Sequence, residues 1–288
     1  MIWIIGNKGM LGQDVSHYCN KVGLPYIGSD SEVSILSPAT LREFVERNSP
    51  SWIVNCSGYT AVDKAETEKE LAYALNRDGV LNISTIAKQF DIPLIHMSTD
   101  YVFDGDSETP LSESSTTCPV SIYGKSKLAG EEAIRDIVES HFIIRTAWLY
   151  GEYGPNFVST MLKLMNERDS IKVVHDQHGS PTWTVELVKL IMKIIMSESQ
   201  SYGTYHFSGE GHCTWYDFAN MIYQFGRELG ILHSHCKVMP CSSDEYPTAA
   251  QRPKYSLMSK KKVKEVFSLD IPNWKISLKS YMQSNGVN

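Results

Sequence analysis

The chain has 288 residues, 42% of them hydrophobic and 21% charged, enough for one large domain or a domain with a smaller lobe. A net charge of −6 with no basic block removes the electrostatic footprint that nucleic-acid binding requires. Six scattered cysteines (Cys19, Cys56, Cys118, Cys213, Cys236 and Cys241) form no CxxC pair, which argues against zinc or a disulfide framework and for free thiols in a reducing compartment.

The opening run "MIWIIG" reads as a buried strand, with neither a basic leader nor a small-residue cleavage site, which argues against secretion. Further candidate strands are Pro25–Ile27, Trp52–Ser57, Leu94–Ser98 and Phe142–Trp148, after the first at Ile2–Ile5. Helical patterns near Met10–Lys21, Pro38–Arg47, Asp78–Phe90 and Tyr123–Glu139 lie between them. Strand and helix in alternation require right-handed crossovers and a parallel sheet covered on both faces, so the fold class is α/β, doubly wound and Rossmann-like.

After Trp148 the rhythm breaks at the turn-rich "YGEYGPN". A helix near Phe157–Arg168, a short strand "IKVVHD" and the loop "QHGSPTW" follow, and then an amphipathic helix, Trp183–Ser197, that is expected to return to the main sheet. Within it the apolar stretch Leu187–Met196 is interrupted by Lys189 and Lys193 and is too short to cross a bilayer. The last third holds helices near Trp215–Leu229, Ser259–Val266 and Trp274–Met282 around strands such as Tyr205–Ser208. The expected division is a dinucleotide-binding domain of residues 1–152 and 183–203, with a discontinuous substrate lobe of residues 153–182 and 204–288. The expected location is the cytoplasm, with no membrane and no nucleic acid as partner.

"GNKGMLG" places Gly6, Gly9 and Gly12 after the first strand and before the first helix. Glycines at such a corner let backbone N–H groups approach a pyrophosphate, which then sits on the helix N-terminus. Asp30, past the second strand, is suited to the adenine ribose hydroxyl and favours NADH. Lys8, in the glycine loop, is suited to a 2′-phosphate and favours NADPH. The two cues conflict, so the expected cofactor is NADPH or NADH.

"SIYGKSKLAGEE" raises a sharper possibility. Tyr123 and Lys127 are four residues apart and share a helix face. A free phenol titrates near pKa ~10, and a neighbouring ammonium lowers that value. Such a pair can give a proton to a carbonyl oxygen as hydride reaches the carbon. "HMSTDYVFDG" ends the fourth strand, where open α/β sheets bind their ligands, and either Ser98 or Thr99 can complete the set with a hydroxyl.

With "VNCSGYTAVDKAE", "STDYVFDG", "YGKSKLAGE", "RTAWLYG", "DQHGSPT" and "YPTAAQRP" added to the glycine loop, the chain resembles the dTDP-4-dehydrorhamnose reductases, extended short-chain reductases, along nearly its full length. The resemblance implies reduction of the C4 keto group of dTDP-4-dehydro-L-rhamnose, with Tyr123 as proton donor, Lys127 as its partner and Thr99 as the hydroxyl. It implies that Gly6, Gly9, Met10 and Leu11 carry the pyrophosphate, and that Gly58, Tyr59 and Thr60 touch the cofactor. Asp100, Tyr101, Val102 and Trp148 fall beside the sugar, and Asn156, Gln177 and Arg252 are assigned to the nucleotide diphosphate or base. Where the family shows Leu-Asp-Ile near adenosine, this chain has Ser34 followed by Ile35.

Related 4,6-dehydratases carry Thr-Asp-Glu after the fourth strand; here Tyr101 stands in place of the second carboxyl group, which suits a reductase. Some family members pair through a magnesium site of glutamates. Asp14 and Glu186 do not match that pattern and the tail "QSNGVN" has no acid, so no metal is expected, while a homodimer stays open. Two other readings are a reductase of a related nucleotide keto-deoxysugar and a non-catalytic NAD(P)-binding regulatory subunit; the intact Thr99, Tyr123 and Lys127 set speaks against the second.

Overall fold

The computed structural model describes residues 1–285; the last three residues of the "QSNGVN" tail lie outside them. In chain order the elements are β1 (Ile2–Ile5), α1 (Met10–Val22), β2 (Tyr26–Ser29), α2 (Pro38–Asn48), β3 (Trp52–Asn55), α3 (Val62–Ala65), α4 (Lys69–Tyr73), a π-helical turn (Ala74–Asp78) and α5 (Gly79–Gln89). There follow β4 (Leu94–Thr99), a 3-10 turn (Asp100–Val102), α6 (Ile122–Ile137), β5 (His141–Thr146), β6 (Leu149–Tyr150), α7 (Phe157–Glu167), β7 (Ser170–Val174), β8 (His178–Gly179), β9 (Thr182–Trp183) and α8 (Thr184–Met196). The chain continues through β10 (Gly203–His206), β11 (Cys213–Thr214), α9 (Trp215–Glu228), β12 (Lys237–Cys241), α10 (Lys261–Phe267) and α11 (Trp274–Asn285).

Six strands form a parallel sheet in the order β2-β1-β3-β4-β5-β10. Its strands are apolar on both faces because helices cover both. Ile2, Ile4, Val54, Ile95, Phe142 and Ile144 pack with Val15 of α1 and Leu187 and Ile191 of α8. Their alternates Trp3, Ile5, Ile53, Leu94 and Ile143 pack with Leu41 of α2, Ile83 of α5 and Ile134 of α6. Successive residues serve opposite faces, and the unbroken apolar run that results is the signature of strands buried on both sides. The doubly wound expectation holds, and the connection after β2 crosses over β1 to reach β3. The strand order therefore reverses between β1 and β3, and a crevice opens at their C-terminal ends.

The smaller lobe has its own core, in which Tyr150, Met161, Phe218, Ile222, Trp274 and Leu278 meet. Its sheets are two-stranded: β7 with β12, β8 with β11, and β6 with β9. The expected domain boundaries need correction in three places. β10 pairs with β5 from Gly203 to His206, so a boundary after residue 203 cuts through a strand of the main sheet. Val263, Phe267 and Ile271 sit in the main-sheet core, which assigns α10 to the larger domain. Tyr150, placed by sequence in the first segment, belongs to the lobe core. In each case apolar partners distant in the chain decide membership.

The strand expected over Phe142–Trp148 stops at Thr146, and Trp148 adopts φ 48°. That left-handed backbone is costly for a bulky residue, and it turns the indole out of the sheet.

Candidate active site

A cavity of about 670 Å³ lies over the C-terminal ends of β1, β3, β4 and β5. Its first wall is the glycine corner. Gly6 has φ 77°, and the N–H groups of Gly6 and Asn7 both donate to Ser29 O, at 2.7 and 3.2 Å, which pins the turn to β2. α1 begins after Gly9 with no side-chain cap and no acidic residue in its first turn. Its free N–H groups and positive dipole end are thus left for an anion. Gly6, Gly9, Met10 and Leu11 line the cavity; Gly12 does not.

Gly12 has a packing role instead. A Cβ there would lie 2.2 Å from Gly6 O and 2.7 Å from Asn7 Cα, a backbone overlap that no rotamer change relieves. Overpacking of about 1–3 kcal/mol is expected, which prises the helix from its turn. Gly12→Ala should therefore weaken binding of a dinucleotide at least roughly tenfold in a fluorescence titration; unchanged affinity would separate this glycine from the cradle.

Asp30, Ser34 and Ile35 line the far end of the same cavity, with Ser31 and Val33. Asp30 receives the N–H of Ser31 on its own carboxylate at 2.8 Å. Lys8 is not among the lining residues; its Nζ pairs with Glu32 Oε2 at 3.2 Å on the surface. Gly58 and Thr60 line the cavity, whereas Tyr59 turns away. The Tyr59 hydroxyl donates to Glu68 Oε2 at 2.8 Å, and its backbone N–H donates to Asn76 Oδ1 at 2.8 Å.

Thr99, Tyr123 and Lys127 line the cavity together. Ser121 caps α6, accepting from Gly124 N at 3.1 Å, so Tyr123 falls in the first turn and Lys127 one turn on. A Cβ on Gly124 would sit 2.1 Å from Tyr101 O. Only glycine allows the helix to approach the Asp100–Val102 turn this closely, and that approach brings the phenol to Thr99. Ser98 also lines the cavity, but its hydroxyl donates to Glu131 Oε1 at 2.5 Å.

Burial sets the electrostatics. Tyr123 is 9% exposed. Burial raises its pKa above the ordinary phenol value; the Thr99 hydrogen bond opposes this, and Asp100 and Tyr101 reinforce it. Burial also lowers Lys127 to about 8, with Glu131 opposing. The ammonium bonds Met97 O at 2.6 Å and faces His96 Nε2 at 3.4 Å. The expectation that Lys127 makes the phenol acidic is therefore corrected: both groups are desolvated, which favours neutral forms of each. A phenol that keeps its proton suits a donor.

Among the expected sugar-side residues, Asp100, Tyr101 and Trp148 line the cavity. Asp100 is 2% exposed, and burial pushes its carboxyl up to about 6 despite the nearby hydroxyls of Ser256 and Thr99. Its Oδ2 is buried without a hydrogen bond of normal geometry. A buried acceptor so poorly partnered is costly and is suited to a ligand hydroxyl. The Trp148 indole stacks on Trp215, with ring centroids 3.6 Å apart and planes 12° from parallel.

Four expected substrate contacts are not cavity-lining. Val102 is fully buried in the core beneath. Asn156 caps α7, accepting from Ser159 N at 3.1 Å and donating to Gly151 O at 2.8 Å. Gln177 donates to Ser243 Oγ at 2.9 Å. Arg252 pairs with Asp63 at 2.7 Å and donates to the Tyr101 hydroxyl at 2.9 Å, so it holds a cavity wall from behind. Asp14, considered above for a metal, is buried in α1 beside Thr184, and Glu186 pairs with Lys189 at 2.8 Å.

Sequence reading missed Asn76. It lies in the π-helical turn, fully buried, where Nδ2 donates to Tyr59 O at 3.1 Å and Ser126 Oγ at 3.0 Å. It thereby ties the loop after β3 to α6. Nothing in the local pattern marks a π turn; it shows only as one residue too many in a helical stretch.

Comparison with known proteins identifies the family. The family model described as RmlD substrate binding domain matches residues 1–286. The dTDP-4-dehydrorhamnose reductase of Salmonella typhimurium is 34% identical over 285 residues, covering 96% of this chain and 95% of that protein. A dTDP-4-keto-6-deoxy-D-glucose reductase of Streptomyces niveus is 34% identical over 280 residues, covering 96% and 94%. The crystal structure of a Bacillus anthracis dTDP-4-dehydrorhamnose reductase in complex with NADP superposes with a TM-score of 0.93 at 36% identity, covering 98% of each chain.

Proposed function

We propose that this chain, which belongs to the RmlD substrate binding domain family, reduces the C4 keto group of dTDP-4-dehydro-L-rhamnose to give dTDP-L-rhamnose, using NADPH or NADH. The observation that carries the reading is one cavity holding the glycine corner, Thr99, Tyr123, Lys127 and the buried carboxyl of Asp100. The cradle fits a dinucleotide: the uncapped helix and close-packed glycines would hold its pyrophosphate, and Asp30, Ser34 and Ile35 its adenosine end. When bound, the cofactor supplies hydride. Tyr123 gives the proton to the carbonyl oxygen as charge develops there, and Thr99 steadies that oxygen by a hydrogen bond. Asp100 holds a sugar hydroxyl, and Trp148 offers a flat apolar face to the ring.

Among the described residues no helix is long and apolar enough to cross a membrane, and all six cysteines are free thiols. A homodimer is compatible with a site that one chain completes.

The test supplies dTDP-4-dehydro-L-rhamnose with each nicotinamide in turn, follows substrate-dependent loss of reduced cofactor, and identifies the product sugar. Formation of dTDP-L-rhamnose is expected. Turnover only of dTDP-4-keto-6-deoxy-D-glucose would favour a related keto-sugar reductase, the reading to which the Streptomyces relative's name points. Cofactor binding with no turnover, together with co-purification of a larger enzyme, would favour a regulatory subunit and overturn the proposal.

A further inference from the structure

Behind Lys127 lie two fully buried polar side chains that the reduction does not use, His96 of β4 and Asn55 of β3. Asn55 Oδ1 accepts from the Ser57 backbone N–H at 3.0 Å and from Ser57 Oγ at 2.6 Å. A backbone N–H can only donate, so the oxygen end of this amide is identified without ambiguity. Its nitrogen end therefore faces His96 Nδ1, 3.0 Å away. An amide nitrogen also only donates, so Nδ1 must offer its lone pair. A neutral imidazole then carries its proton on Nε2, the atom 3.4 Å from Lys127 Nζ.

We propose that Asn55 and His96 are positioning residues that form a tautomer lock, presenting an N–H donor to Lys127 and thereby favouring its neutral amine over the ammonium. An ammonium has only hydrogens to offer, and against Nε2–H it is repelled. The neutral amine has one lone pair to accept that hydrogen while still donating to Met97 O at 2.6 Å. An imidazolium is ruled out by the same amide, and burial with the adjacent Lys127 holds His96 well below its ordinary pKa.

The other groups around Lys127 leave this lock room to act. Glu131, one turn on along α6, favours the ammonium, but its charge is engaged by Arg145 of β5 at 2.7 Å and Arg135 at 3.0 Å. The Cys56 thiol after β3 is pushed up to about 12 by burial and stays neutral. Tyr123, on the same helix face, has a raised pKa and stays neutral as well, and Asp100, at the end of β4, acts on Tyr123. Burial itself already lowers the Lys127 ammonium to about 8, and the lock acts in the same direction.

The effect on turnover rests on the reductase reading; the lock itself does not, and the experiment separates them. In ¹⁵N-histidine-labelled protein, with His96 assigned by its loss in His96→Leu, the imidazole should show a bare Nδ1 and a protonated Nε2 that do not titrate down to mildly acidic pH. Asn55→Leu adds no charge and frees the ring to turn its lone pair toward Lys127. The Lys127 ¹³Cε titration midpoint, assigned through Lys127→Arg, should then rise by about one unit, a tenfold gain in proton affinity. The alkaline limb of kcat/KM should move with it. A proton on Nδ1 in the unaltered protein overturns the proposal even if the variant does not fold, and an unmoved Lys127 midpoint in a folded variant does so too. Failure of the reductase reading would abolish turnover while leaving both NMR results as expected.

Discussion

Tyr123→Phe is expected to lower kcat by about 10²–10⁴, the span contributed by a positioned general acid, while cofactor affinity changes less than roughly threefold. The substitution removes one oxygen and keeps the ring, which stands edge-on to Tyr101 with centroids 5.4 Å apart and planes at 76°. Packing of the wall is therefore retained. The loss should appear in kcat and in kcat/KM to a similar extent, because the hydroxyl acts as negative charge develops on the carbonyl oxygen. Steady-state kinetics with the keto-sugar nucleotide, paired with a nucleotide titration, measures both quantities. Wild-type turnover in the Phe variant would remove Tyr123 from the chemistry.

The second large effect is on stability. Glu131 has no exposed surface and binds Arg145, itself 3% exposed, through two bonds of 2.9 and 2.7 Å. Ser98 and Arg135 complete its partners at 2.5 and 3.0 Å. Glu131→Ala leaves a guanidinium buried and uncompensated, at a cost of about 3–5 kcal/mol. Urea denaturation at neutral pH should show the loss as a lower midpoint with little change in slope. Replacing Glu131 and Arg145 together by Leu and Met should recover most of it, because the penalty lies in the orphaned charge.

The pH dependence has a definite sign. Although burial raises it, the hydrogen bonds and charges of Arg145, Ser98 and Arg135 win and hold the Glu131 carboxyl below its ordinary value. A carboxyl with a depressed folded-state pKa stabilises the fold above about pH 4.3, its unfolded value, and that contribution is lost as pH falls through the folded one. The Ala variant should therefore show a shallower loss of stability in that acidic window. A parallel acid slope in both proteins would mean that Glu131 is not held ionised by its partners.

Both effects involve residues that sit about two helical turns apart on α6, and the sequence treats them unequally. Tyr123 and Lys127 stand in a spacing that names its own chemistry. Glu131 ends the same quoted stretch, yet its partner Arg145 comes from the next strand and only the register of β4 with β5 brings Ser98 opposite Arg145. The polar residues interrupting two apolar strands, Asn55 in "WIVN" and His96 in "LIHMST", were a signal available in the sequence, since a strand buried on both faces carries such groups only when they are partnered.

Local pattern alone determined the alternating strands and helices, the glycine corner and the spacing of Tyr123 and Lys127, because each depends on residues within a few turns of one another. Tertiary structure decided which side chains share the cavity. It sent Asn156 to cap a helix and Arg252 to Asp63, placed β10 and α10 with the main sheet, and raised the phenol where a lowered value was expected. Partner choice and desolvation arise from groups far apart in the chain, and no spacing in one dimension can reveal how much water a folded interior excludes.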